Sequence, residues 1–342
     1  MRRVAPVLVV ALIAVTLTVW FKGDWNRPTL PPASVTTEDR IPQLTKLVAD
    51  QEEESSHAVA TYRPTTLARI DDSGTVVVDL LRGLPGVVRV EVGVRADQPT
   101  CRIVHLRDWH FVPKDLYALD MKTATGRELT DDEIDRLHRE LLLQVEAVQL
   151  EQMALLRCLV KHHGLKRLHC EGLTAKDLPN YKEKIAVLRE MDRTQISELR
   201  NQLAEVRELL KGTDPNSDRH AKVKKIEAEV CALIDQYRLQ LLELGAPGRL
   251  LIAGEIDDVL PLDDADLLDR AKPVTPEGKI RLDKEKVKAR NDAQVKAVMD
   301  GGGFGLIVLG GAHDLSDSVR RLGQGRCEYV RVTTKQFQKI GE

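Results

Sequence analysis

The sequence predicts an α/β domain with a largely parallel sheet, flanking helices and an inserted long helical hairpin, preceded by an N-terminal membrane anchor. Short β-branched segments alternate with amphipathic helical segments, which is the pattern of parallel sheets. Two long charged helical segments follow one another without a strand between them, which indicates the hairpin. A strongly apolar run of residues stands at the N terminus.

The composition disfavours a nucleic-acid partner. The 51 basic and 53 acidic residues give a net charge of −2, and aromatic residues make up only 4% of the chain. Binding of a polyanion needs clustered basic residues, and binding of single strands needs stacking aromatic side chains. The five cysteines are widely spaced without a C-x-x-C pair, so neither a zinc knuckle nor a disulfide framework is predicted.

The N-terminal segment, residues 1–23, is predicted to be a signal anchor. Arg2 and Arg3 precede an apolar run from Val4 to Phe21, and 18 residues lie at the short end of what spans a bilayer. The run ends in bulky residues rather than a small-x-small cleavage site. By the positive-inside rule the protein is single-pass with its C-terminal domain extracytoplasmic. The alternative is a cleaved signal peptide and a secreted or periplasmic protein.

Residues 24–60 carry Pro28, Pro31 and Pro32 and then the acidic run "ADQEEESSH", which indicates a linker. The α/β domain is then expected over residues 61–342. "TVVVDLL" and "VVRVEVGV" are predicted to be strands, with a hairpin as one option, and "TCRIVHL" is a third strand.

A long helix is predicted over residues 131–163. Thr130 and Glu133 form a capping-box pattern, apolar residues recur every three or four positions, and Gly164 is a natural stop. "LKRLHCEGL" follows as a strand, so "TCRIVHL", the helix and this strand make a βαβ unit with parallel strands.

The second half of the chain is predicted as follows. Residues 180–244 form the helical hairpin, interrupted at "KGTDPNSD". "GRLLIAGEIDDVLPLDD" gives a strand with Glu255 near its end, and "LDKEKVKARNDAQVKAVMDGGG" gives a helix that stops at Gly301. "GLIVLGGAHD" and "CEYVRVT" are the last strands.

Polar side chains follow three of these strands. Asp108 and His110 follow the first, Glu171 the second, and His313 the last. Ligands in open parallel sheets bind outside the carboxyl ends of the strands, so we expect these side chains to face one crevice. His105 lies within its strand and is interpreted as structural.

Two kinds of chemistry fit this set of side chains. One histidine can act as a general base on water while the carboxylate fixes its tautomer. Alternatively, His110, Glu171 and His313 can bind a divalent metal and lower the pKa of a bound water. The sequence leaves both open.

The same residues resemble a superfamily that joins TraB/PrgY proteins, Tiki-type membrane-tethered proteases, ChaN-like haem-binding lipoproteins and erythromycin esterase-like hydrolases. "RDWH" is similar to the family's Gly-Glu-x-His motif, with Asp108 in the glutamate position. "HCEG" matches its glutamate through Glu171, "ARNDAQVKAVM" resembles its arginine-bearing helix through Arg290, and "GGAHD" matches its Gly-x-x-His motif through His313. The resemblance covers residues 100–320.

The resemblance implies a membrane-anchored hydrolase that uses His110, Glu171 and His313, with Asp108 and Arg290 in support. Resemblance to the Tiki-type proteases implies a metal-dependent reaction on peptides. Resemblance to the erythromycin esterase-like hydrolases implies a metal-free reaction on esters. Kinship to ChaN implies instead a haem- or metal-binding module without catalysis. A third alternative is a non-catalytic scaffold that binds a protein partner through the helical hairpin.

Overall fold

The computed structural model describes residues 40–66, 68–70, 76–271, 283–301 and 303–341, and in them the chain is an α/β fold built on one mixed sheet. The six strands run in the order β1-β6-β2-β5-β3-β4. Only β1 is antiparallel to its neighbour, so the prediction of a largely parallel sheet is confirmed. The strands are β1 (Val87–Val94), β2 (Cys101–Asp108), β3 (Arg167–Thr174), β4 (Asp258–Asp263), β5 (Phe304–Gly310) and β6 (Cys327–Thr334).

Helices surround the sheet. In chain order they are α1 (Ile41–Thr61), α2 (Val76–Arg82), α3 (Lys114–Thr125), α4 (Asp131–His163), α5 (Leu178–Met191), α6 (Ser197–Lys211), α7 (Asp218–Ile252), α8 (Ala265–Arg270), α9 (Lys284–Asp300), α10 (Ser316–Gly323) and α11 (Lys335–Gly341). A π-helical turn, Asp192–Ile196, joins α5 to α6.

Each face of the sheet has its own core because side chains along a strand alternate between faces. Val104 and Leu106 of β2 pack with α2, α4 and the hairpin helices on one face. Ile103 of the same strand packs with α9 and α10 on the other. His105 shares the α9 side, is fully buried, and is bonded to the Tyr329 hydroxyl (2.6 Å) and the Leu309 carbonyl (2.9 Å), as expected for a structural histidine.

Helix α4 has the predicted bounds. The Thr130 hydroxyl accepts from the backbone N–H of Glu133, whose carboxylate accepts in return from the backbone N–H of Thr130. Gly164 ends the helix with φ of 74°, a left-handed conformation that glycine adopts at low cost. The strand that follows is parallel to β2 as predicted, but β5 lies between the two.

A helical hairpin, α5 and α6 packed against α7, is present where the sequence predicts it, and its second arm breaks at Gly245, next to the predicted end at residue 244. Lys184 pairs with Glu243 (2.7 Å), and Arg207 pairs with Glu227 (3.0 Å). The residue that comes later in the first arm thus pairs with the residue that comes earlier in α7, as antiparallel helices require. Gly245, with φ of 66°, kinks α7 ahead of Pro247.

Three predictions about the chain path are wrong. Val76–Arg82, predicted to be part of a strand, is helical, since Val77, Leu80 and Leu81 recur at helical spacing and all are buried in the core. There is accordingly no β hairpin: β1 pairs with β6. "GRLLI" is the last turn of α7, so Glu255 precedes β4 instead of following it and pairs with Arg157 of α4 (2.8 Å).

The region expected to be a linker is helical from Ile41 onward. Helix α1 packs along α4 and buries Leu44 and Val48 against Leu143, Ala147 and Leu150. The predicted anchor, residues 1–23, lies outside the described residues. Within the described ranges no helix is both long enough and apolar enough to cross a membrane.

Candidate functional site

The candidate site lies at the carboxyl ends of the parallel strands. The structure brings together all five side chains that the sequence singles out: Asp108, His110, Glu171, Arg290 and His313. They come from the ends of β2, β3 and β5 and from helix α9, which packs beneath β4. The cluster is largely buried, and His110, with a side chain 19% exposed, is its most accessible member.

His110 lies between two carboxylates. Its Nδ1 atom is 3.0 Å from Oδ2 of Asp108. Its Nε2 atom is 2.6 Å from Oε2 of Glu171, which is an ion-pair distance, but the contact does not have the geometry of a hydrogen bond. Burial lowers the pKa of His110, but the two carboxylates outweigh burial and raise it to about 10. His110 is therefore an imidazolium at neutral pH.

Glu171 is the centre of the cluster. Its Oε2 also accepts a hydrogen bond from the backbone N–H of Gly310 (2.7 Å), and its Oε1 lies 2.8 Å from Nη2 of Arg290 and 3.4 Å from Nε2 of His313. Burial on its own would raise the pKa of Glu171, but the charges of His110 and Arg290 hold it well below its usual range. Glu171 is thus a fixed anion.

A second buried carboxylate, Asp263, positions Arg290. It ends β4, and its side chain is fully buried. The guanidinium of Arg290 donates to both Asp263 oxygens, from Nε at 2.7 Å and Nη2 at 2.9 Å, while Gly172 N–H and Gln294 Nε2 donate to the same carboxylate. Burial lowers the pKa of Arg290, but the two carboxylates outweigh it and the net effect is an increase.

His313 has a different environment. Its Nδ1 lies 3.2 Å from Oδ1 of Asn291, whose Nδ2 faces the Asp314 carbonyl at 3.5 Å. A carbonyl oxygen only accepts, so this contact places a proton on Nδ1. The imidazole side chain is 9% exposed, and Nε2 faces the Glu171 carboxylate.

The glycines before His313 shape the turn that presents it. The N–H of His313 donates to the Gly310 carbonyl (2.9 Å), and the N–H of Gly311 donates to the Asp108 carbonyl (3.0 Å). A Cβ atom at Gly311 would lie 2.1 Å from the Phe337 ring, so only glycine fits there. Asp314 accepts from the backbone N–H of Ser316 (2.9 Å) and is a turn residue at the start of α10.

The sequence did not indicate three further residues that contact the side chains of the site: Asp263, Asn291 and Gln152. Asp263 ends the strand "DVLPLD", so the strand-end rule would have found it once that strand was placed correctly. Asn291 directly follows Arg290 on α9, but the sequence gives no sign that it faces His313. Gln152, from the middle of α4, donates to Oδ1 of Asp108 (2.8 Å), and only tertiary packing brings it there.

The metal set that the sequence left open, His110, Glu171 and His313, does not fit a cation as the side chains are arranged. Both nitrogens of His110 face carboxylates, and both oxygens of Glu171 are already occupied by donors. The guanidinium of Arg290 would also repel a cation bound at Glu171. Consistent with this, no group of three or more His, Cys, Asp or Glu side chains in the described part of the chain is arranged to hold a metal ion.

Comparison of this chain with protein families, curated proteins and solved structures finds no match in any of the three.

Proposed function

We propose that this protein is a hydrolase that activates water without a metal, on an ester or peptide substrate. The observation that supports the proposal is the different surroundings of two histidines that contact one carboxylate. His110 is a cation held by Asp108 and Glu171, whereas His313 contacts the neutral amide of Asn291 through Nδ1 and directs its Nε2 to Glu171. A proton acceptor and a fixed cation on either side of one anion are the groups that water-driven acyl transfer needs.

In the proposed reaction His313 is the general base. Its Nε2 takes a proton from water, and the resulting hydroxide attacks the carbonyl carbon of the substrate. Glu171, 3.4 Å from Nε2, stabilises the imidazolium that forms, as a carboxylate beside a catalytic histidine does. The positive charge of His110 stabilises the oxyanion, and the proton held by His313 then passes to the leaving group.

The buried ion pairs hold these groups in place. Arg290 keeps Glu171 ionised, and Asp263 fixes the orientation of Arg290 through two hydrogen bonds. The shorter Asp108 in the position of the family's glutamate still reaches His110, at 3.0 Å. The N-terminal sequence adds the expectation that the reaction takes place outside the cytoplasm, on a domain tethered to a membrane.

The test is hydrolysis by the purified full-length chain in detergent. p-Nitrophenyl esters and a fluorogenic peptide library are the substrates, and His313→Ala is compared with wild type and with His57→Ala. His57 is an exposed histidine of α1 and serves as the matched control. We expect His313→Ala to lower kcat/KM by about 10²–10⁴-fold, EDTA to have no effect, and His57→Ala to match wild type. Equal rates for His313→Ala and wild type, or inactivation by EDTA, would contradict the proposal.

A second candidate function, that of a scaffold, is favoured by the surface of the helical hairpin. Large apolar side chains are exposed along it, namely Val187, Leu209, Ile226 and Leu239. Exposed apolar side chains concentrated on one element are typical of surfaces that bind a protein. Substitution of Leu209 and Ile226 by Ser separates the two functions, since a hydrolase retains its rate in this variant and a scaffold loses its partner.

A haem- or metal-binding module is the least favoured alternative. Both nitrogens of His110 are directed at carboxylates, and the Glu171 carboxylate that Nε2 of His313 faces is already paired with Arg290. An absorption spectrum and metal analysis of the purified chain test this alternative directly.

A further inference from the structure

Two cysteines lie side by side at the end of the sheet that is remote from the candidate site. Cys101 is the first residue of β2, and Cys327 is the first residue of β6. The two strands are parallel neighbours, and these residues are partners in register. The backbone N–H groups of Thr100 and Cys101 both donate to the Arg326 carbonyl (2.9 and 3.1 Å), which fixes this alignment.

The two sulfur atoms are in direct contact. The Sγ of Cys327 lies 2.6 Å from the Sγ of Cys101, and both residues are at least 95% buried. Neighbouring strands run about 4.8 Å apart, within the Cα separation of about 4.4–6.8 Å that a disulfide requires. A cross-link at this place therefore needs no movement of the backbone.

A cavity adjoins the pair. Cys101 and Cys327 line this cavity of about 250 Å³, together with Met299 and Arg326. Gly323 makes room for Cys327, because a Cβ at Gly323 would lie 2.5 Å from the Cβ of Cys327.

We propose that Cys101 and Cys327 are a redox modification site that closes to a disulfide by exchange with a low-molecular-weight disulfide. The Cys101 thiolate attacks one sulfur of that disulfide and releases the first small thiolate. Cys327 then loses its proton and attacks the Cys101 sulfur of the mixed disulfide, releasing the second. Two protein thiols and one small disulfide thus become one protein disulfide and two small thiols, and an excess of small thiol reverses the reaction.

The hydrogen-bond direction supports this order of attack. The S–H of Cys327 donates to the sulfur of Cys101, which lowers the pKa of Cys101 and raises that of Cys327. The lower pKa makes Cys101 the first nucleophile, since the thiolate is the attacking form. Burial raises the pKa of Cys158 to about 11 and of Cys170 to about 12, so neither competes.

The disulfide does not depend on the proposed hydrolase activity, and the first test of it uses the unmodified full chain. The protein is incubated with oxidised glutathione, denatured, alkylated with N-ethylmaleimide, digested and analysed by mass spectrometry. We expect a peptide that links Cys101 to Cys327 and disappears on reduction, while Cys158, Cys170 and Cys231 are alkylated in full. Recovery of both Cys101 and Cys327 as alkylated thiols, or only as separate glutathione adducts, would overturn the proposal.

A thermal measurement gives an independent readout. The cross-link joins residues 226 positions apart, so the oxidised protein should melt at least about 5 °C above the reduced protein. In Cys101→Ser/Cys327→Ser this difference between oxidised and reduced samples should vanish, and in Cys231→Ser it should persist. A difference that survives in the double variant would contradict the assignment.

Discussion

Nε2 of His110 lies 2.6 Å from Oε2 of Glu171, and this ion pair joins the ends of two strands that are not neighbours in the sheet. Strand β5 passes between them, and its Gly310 N–H donates to the same Glu171 oxygen (2.7 Å). Oε2 of Glu171, on β3, therefore contacts groups at the ends of both β2 and β5. Charges buried to this extent are stabilising only while each retains its partners.

Loss of the Glu171 charge should destabilise the fold. Glu171→Gln leaves His110 and His313 without their shared anion, so we expect the free energy of unfolding to fall by roughly 3–5 kcal/mol in urea titrations. Glu208→Gln is the matched control, because Glu208 pairs with Lys211 on the exposed face of α6. Equal stability of Glu171→Gln and wild type would show that the cluster is not held by this charge.

The stability of the protein should fall at alkaline pH because of His110. The folded-state pKa of about 10 lies above the ordinary value of 6.5, so the stabilisation is complete below about pH 6.5 and is lost as pH rises through 10. Unfolding free energies of wild type and His110→Gln at pH 6, 8 and 10 should therefore converge toward the highest pH. A difference independent of pH would mean that His110 is not charged in the folded state.

Asn291 should act on the reaction by positioning His313. Asn291→Ala removes the acceptor that keeps the proton on Nδ1, so we expect kcat to fall about 10-fold or more with little change in KM. The matched control is Asp292→Asn on the same helix, whose carboxylate pairs with Arg321 on α10. An unchanged kcat and pH profile in Asn291→Ala would remove Asn291 from the proposed mechanism.

Helix α1 should behave as part of the domain rather than as a tether. Leu44→Ala creates a cavity against α4, and buried Leu→Ala substitutions cost roughly 2–5 kcal/mol of unfolding free energy. Lys46→Ala on the exposed face of the same helix should change stability little. If Leu44→Ala is as stable as wild type, α1 contributes nothing to the fold.

The sequence predicts which side chains come together at the site better than it predicts the contacts between their atoms. Asp108, His110, Glu171 and His313 could be placed together because carboxyl ends of parallel strands meet at one edge of a sheet. Which nitrogen faces which oxygen depends on packing between distant segments. Gln152, for example, reaches Asp108 from the middle of α4 across 44 positions of sequence.

The two incorrect predictions of secondary structure have a common physical origin. Val76 to Val78 are β-branched and favour strands locally, yet the apolar side chains at 77, 80 and 81 fit a helix that can bury them. The acidic run before residue 60 is typical of a solvated segment, but its buried face is made by residues spaced three and four apart. In both places the spacing of the buried residues determines the secondary structure, and the local preference of each residue type does not.

The strand order has a consequence for synthesis on the ribosome. Strands β2 and β3 emerge early, but β5 must insert between them, and it begins about 130 residues after the end of β3. Until then the edges of β2 and β3 are unpaired, and His110 and Glu171 lack the Gly310 N–H that lies between them. The nascent protein therefore carries an open sheet until β5 has been made, and the site is completed only when His313 has left the ribosome.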